Sequence, residues 1–215
     1  MSDDVATDGT HDSRAGSRRR RAALAGHTGD PEAARRALDD PDPGVVAVAL
    51  GALARLGALS TDDVTTALAR GAPAVRRRAT EVAGRARGRG TRSVLPAALV
   101  EALDDPDPLV VVGAAWFLGE RRHRPAVGAL AVTARTHADA RCREAAVAAL
   151  GAIGDPGGLP AVLAAVRADK PTVRRRAAVA LAGFDDPRVE PALRHAAADR
   201  DWQVRQAAEE LLDEP

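Results

Sequence analysis

Cys142 stands between Arg141 and Arg143, and guanidinium groups on both sides are the setting that lowers a thiol pKa towards a nucleophile. It is the single cysteine in 215 residues, so an intramolecular disulfide framework and a multi-cysteine metal site are both excluded. The five histidines, His11, His27, His123, His137 and His195, are scattered without metal-ligand spacing. The chain has no P-loop, no G-x-S-x-G, no H-E-x-x-H and no phosphate-cradling glycine motif. The residues therefore assign no catalytic group, no metal and no cofactor. Two kinds of surface chemistry are left: an apolar contact through Trp116, and phosphate or carboxylate binding through arginine clusters.

Composition says what must position these side chains. Only four aromatic residues occur, Trp116, Phe117, Phe184 and Trp202, and there is no tyrosine; Ala, Leu and Val carry nearly all the apolar mass. Small side chains demand closely approaching backbones, and alanine favours helix over strand. The formal charge of +1 gives no bulk attraction to nucleic acid or an anionic membrane, so any electrostatic function must come from local clustering. The N-terminus MSDDVATDGTHDS has no apolar h-region, and LVVVGAAWFLG is far short of the ~20 residues of a membrane span. The expectation is a soluble, cytoplasmic, monomeric protein without membrane contact.

The heptapeptide ALDDPDP occurs at residues 37–43 and again at 102–108. Beyond it the likeness continues as a register. The first apolar residue after each turn is Val45, Val75, Val110, Cys142, Val173 or Val204, and alanine follows four residues later in all six copies. Apolar residues recur seven and eight positions after the anchor, which places them on one face of a 3.6-residue helix. Asp42, Asp107, Asp139 and Asp201 stand where a side chain can cap the first turn. Pro43, Pro73, Pro108 and Pro171 suit the first helical position, and Gly57 and Gly154 mark stops. A shorter apolar segment precedes each such helix, so each unit reads as a helical hairpin, helix A then helix B. One hairpin of ~31 residues cannot bury its apolar face alone, so the units must stack.

The pattern D-P-x-V-R-x-x-A-x-x-A-L-G, seen in Pro171–Leu181 and Asp201–Ala208, resembles the HEAT repeat, and more narrowly the variant named after phycobilisome lyases. The resemblance implies an all-α fold, a right-handed α-solenoid of about six HEAT-like hairpins. Residues 1–16 are expected to be a disordered polar tail and 17–215 the solenoid. Within it, 17–29 form a half-repeat cap, followed by repeats at about 30–57, 58–88, 89–122, 123–154, 155–185 and 186–215. It also implies a ladder between Arg76, Arg143, Arg174 and Arg205 and the turn aspartate of a neighbouring unit, interrupted at Val46 and Val111. Deoxyhypusine hydroxylases resemble this architecture but use His-Glu pairs for two irons; the matching position here is Arg143-Glu144, and no His-Glu pair exists. Cys142 occupies an anchor position where other copies have valine, which favours a core role over a reactive one.

Positions two, six and nine after each anchor are expected to point away from the core, and in HEAT arrays that side lines the concave face. It carries Arg77, Glu81, Val112, Trp116, Glu144 and Arg175, with Trp116 its only aromatic residue. These are the expected partner-binding residues. Trp202, in the turn before the last B helix, reads as structural. Arg85, Arg87, Arg89 and Arg92 in one loop and Arg121, Arg122 and Arg124 in the next of its kind form an expected basic edge. The reading is a non-catalytic scaffold or adaptor for another protein. The first alternative is nucleic-acid or acidic-partner binding through the basic edge. The second is an accessory bilin-lyase-like or other enzyme without a recognisable catalytic motif.

Overall fold

The computed structural model describes residues 6–88 and 94–213, the side chains of 6–13 excepted. Among the described residues there are thirteen α-helices and no strand, save one parallel bridge between Ser60 and Arg87. Packing divides the chain into two compact units, Met1–Ala98 and Leu99–Pro215.

In unit 1, α1 (Ala6–Thr28) packs on α2 (Pro31–Arg36) and α3 (Pro43–Leu56), α3 on α5 (Pro73–Val82), and α4 (Thr61–Arg70) on α5. The next helix, α6 (Val94–Glu101), contains the boundary. Unit 2 continues with α7 (Pro108–Glu120), α8 (Val127–Thr136), α9 (Ala140–Ile153), α10 (Leu159–Ala168), α11 (Pro171–Leu181), α12 (Val189–Ala196) and α13 (Trp202–Leu212). Here α7, α9, α11 and α13 lie side by side as one layer of B helices, and α8, α10 and α12 as a layer of A helices. This is the α-solenoid arrangement, each hairpin burying the apolar face of its neighbours.

The helix starts follow from their caps. Asp42, Asp107, Asp139 and Asp201 each accept hydrogen bonds from the free amides of the following first turn, replacing a partner the helix itself cannot supply. Ser60 and Asp63 cap α4 reciprocally. Gly57 (φ 68°) and Gly154 (φ 66°) end α3 and α9 in the left-handed conformation, which glycine adopts without strain.

The four-residue alanines, Ala49, Ala79, Ala114, Ala146, Ala177 and Ala208, are all completely buried. Nine positions after the anchor the chain has Gly119 and Gly151, and these face the next B helix rather than solvent. A Cβ on Gly151 would lie 2.6 Å from Ala180 Cβ, and one on Gly119 would lie 2.8 Å from Ala149 Cα. A core of small side chains thus works because the B-helix backbones nearly touch.

α1 begins at Ala6, inside the segment expected as a flexible tail. Its Ala15, Ala22 and Ala25 are buried on one face at helical spacing. Three alanines make too faint a stripe to stand out among polar neighbours, and a helix once nucleated extends at little cost.

Candidate protein-binding face

The B-helix side of unit 2 is built from positions two and six of each repeat. Trp116 on α7 is 58 % exposed, with Val112 half-buried one turn before it. On α9 come Glu144 and Ala148, both half-buried; on α11, Arg175 and Val179, both exposed; on α13, Gln206 and Glu210. Arg176 reaches back from α11 to Glu144 on α9, Nε to Oε1 at 3.5 Å. The amide of Gln206 donates to Glu210 at 2.9 Å. Between α11 and α13 lies a groove of about 260 Å³ lined by Arg175, Arg176, Val179, Gln203, Gln206 and Glu210. One exposed tryptophan and a second exposed apolar residue, Val179, therefore flank a strip of mixed charge. That is surface able to bury an aromatic contact while polar groups around it keep their partners.

The remaining expected partner-binding residues, Arg77 and Glu81, belong to unit 1 on α5, where Glu81 is exposed and accepts from Arg78 at 2.8 Å. The basic edge divides in the same way. Arg85 and Arg87 are exposed in unit 1, and the Arg87 backbone is tied to the turn before α4, donating to Leu59 O and accepting from Thr61 N. Arg89 and Arg92 lie outside the described residues. In unit 2, Arg121, Arg122 and Arg124 are exposed; Arg121 lies over the Phe117 ring at 5.4 Å, and Arg124 stands 4.0 Å from Asp155.

Trp202, read from sequence as structural, is 61 % exposed. As the first residue of α13 its side chain leaves the helix before the stack can cover it. Cys142 is fully buried and its Sγ donates to Pro108 O at 3.4 Å. Burial, followed by nearby Asp139, pushes its pKa up to about 11 against the pull of Arg141 and Arg143, so it stays a thiol and serves as core.

The arginine ladder is present in unit 2. Arg143 holds Asp169 bidentately (2.8 and 2.6 Å) and also donates to His137 O. Arg174 holds Asp199 in the same fork (2.7 and 2.8 Å) and donates to Asp169 O at 2.7 Å. Arg205, in the last repeat, donates to the carbonyls of Asp199 and Arg200. In unit 1, Arg76 donates to Gly71 O. Related ties join Arg18 to Asp40 and Arg35 to Asp63; neither stood out in sequence, since neither arginine follows an anchor valine.

Hairpins stacked in register around buried alanines and tied turn to turn define an α-helical repeat protein. The family model of HEAT repeats matches residues 129–213, within unit 2, and the chain is similar there to HEAT-like repeat proteins. Solved structures agree in fold. An engineered protein superposes with a TM-score of 0.63 at 20% identity, covering 86% of this chain and 97% of its own. The complex of CpcE and CpcF of phycocyanin lyase from Nostoc sp. PCC7120 gives 0.59 at 24% identity, covering 83% of this chain and 74% of that one. YibA of E. coli gives 0.61 at 20% identity, covering 81% and 67%. At these identities the likeness is one of fold. No curated protein matches the sequence. No described helix is long and apolar enough to cross a membrane, and the described residues hold no cluster of three or more metal-ligating side chains.

Proposed function

We propose that the chain is a non-catalytic scaffold that binds another protein through the B-helix face of unit 2, centred on Trp116 and Val112 and continuing over Glu144 and Arg175. The observation that carries this reading is the exposure of Trp116 on α7, a B helix whose neighbouring Phe117 and Leu118 are buried. A packing tryptophan would have been drawn into the cleft between helices; this one leaves 58 % of its surface in water. The repeat fold supports the reading, since stacked hairpins present long, continuous helix faces to partners. In the same spirit, the phycocyanin lyase neighbour is itself a complex of two proteins. Arg77 and Glu81 hold the same repeat positions on α5 of unit 1.

Trp116→Ala separates contact from packing. The variant is expected to melt within a few degrees of the wild type, because little buried surface is lost, and to lose its protein partner in pull-downs. Central aromatic contacts of this kind cost 2 kcal/mol or more in binding, roughly thirtyfold or more in Kd.

A further inference from the structure

A groove of about 510 Å³ lies in unit 2 where the last turns of α10 and α12 meet the start of α11. Its floor is the Arg174–Asp199 pair, with side chains only 5 % and 10 % exposed. Both carboxylates there, which would repel an anion most strongly, already have donors. The Asp199 carboxylate is gripped by Arg174 and by the Asp201 amide, and the Asp169 carboxylate by Arg143 and the Lys170 amide. The Asp169 carbonyl accepts from Arg174, and those of Asp199 and Arg200 accept from Arg205.

The donors on the rim are in the opposite condition. Arg167, His195 and Arg200 line the groove and are exposed. None of the three makes a side-chain hydrogen bond or ion pair among the described residues; Arg200 acts on Asp199 only through its charge, the last of several groups to do so. Along the groove's lining, three arginines, Arg167, Arg174 and Arg200, meet two aspartates, Asp169 and Asp199, so the local formal charge is positive. Such a concentration of unengaged fork-shaped donors over satisfied acceptors is what recognises a planar or tetrahedral oxyanion.

We propose that this groove is a binding site for a phosphate-type oxyanion, held by Arg167 and Arg200 with His195 as a third donor. The volume exceeds that of one phosphate, which leaves room for the group that carries it. The site is independent of the Trp116 face.

The test is an amide NMR titration of the full chain, at constant ionic strength, with inorganic phosphate, with a short phosphoserine peptide and with its unphosphorylated counterpart. Saturable shifts confined to residues 167–170 and 195–201 are expected with the two phosphate probes and none with the plain peptide. Tighter binding of the free ion marks a small-ion site, and tighter binding of the peptide marks a phosphorylated partner; both support the proposal. Because both arginines are exposed, Arg167→Gln/Arg200→Gln keeps the fold and weakens binding at least about tenfold, while Arg121→Gln, elsewhere on unit 2, does not. Shifts that fail to saturate, or that saturate equally in the Arg167→Gln/Arg200→Gln chain, overturn it.

Discussion

Cys142 and Trp116 show how one side chain's surroundings decide its chemistry. The two arginines beside Cys142 suggested a reactive thiol, but their guanidinium groups turn elsewhere: Arg141 to Asp139 and Arg143 to Asp169. Burial then dominates and holds the pKa near 11. The native protein is accordingly expected to resist iodoacetamide at pH 8, with alkylation appearing only under denaturant; rapid native labelling would contradict the assignment. Cys142→Val, which restores the residue of the five other repeats, should change stability by less than about 1.5 kcal/mol in urea titration. The anchor position was legible because valine recurs there. The turn of Arg143 to a neighbouring aspartate was legible too, through the ladder; the fold-back of Arg141 onto Asp139 was not, since no repeat position marks it.

At the scale of elements, the helix starts and stops could be read from Asp, Pro and Gly, whose roles are local. The partners that tie one hairpin to the next could be read only where the repeat is regular. Both interruptions of the ladder occur together with the loss of the opposing carboxylate. Val46 stands where Arg143 and Arg174 stand in later repeats, and the turn facing it has Gly71 in place of Asp169; Val111 is followed by a turn with His137 and Ala138. Losing both members avoids an unpaired buried charge. Arg174→Met alone should therefore destabilise by about 3–5 kcal/mol, because it leaves Asp199 without its partner, whereas Arg174→Met with Asp199→Leu should recover most of the loss. Chemical denaturation of both variants checks this. Gly151→Ala should cost about 1–3 kcal/mol, since its Cβ would press on Ala180 where α9 and α11 meet.

Across the whole molecule, charge contributes to stability through turns rather than through net charge. Asp139 and Asp186 are held down to about 2, chiefly by hydrogen bonds from Arg141 and Arg188. Asp199 and Asp42 are lowered chiefly by Arg174 and Arg19. For Asp169 burial is the largest influence and pushes upward, but Arg143 and the Lys170 amide together outweigh it. All five bind protons more weakly folded than unfolded. Their stabilisation is therefore complete above the ordinary aspartate value near 4 and is lost as pH falls through the folded values towards 2. Thermal melts are expected to be flat from pH 7 to about 5 and to drop steeply below 4. The repeat architecture was legible from spacing alone. The exposure of Trp202 was not, because it depends on how the last hairpin leaves the stack. The central claim, that Trp116 is a contact residue on a protein-binding face, is tested most directly by pull-downs with wild type, Trp116→Ala and Trp202→Ala, each with its melting temperature. Proteins retained by wild type and Trp202→Ala but lost by a Trp116→Ala chain of undiminished stability are the expected result. An unchanged set of partners, or a Trp116→Ala melting temperature many degrees lower, would contradict it.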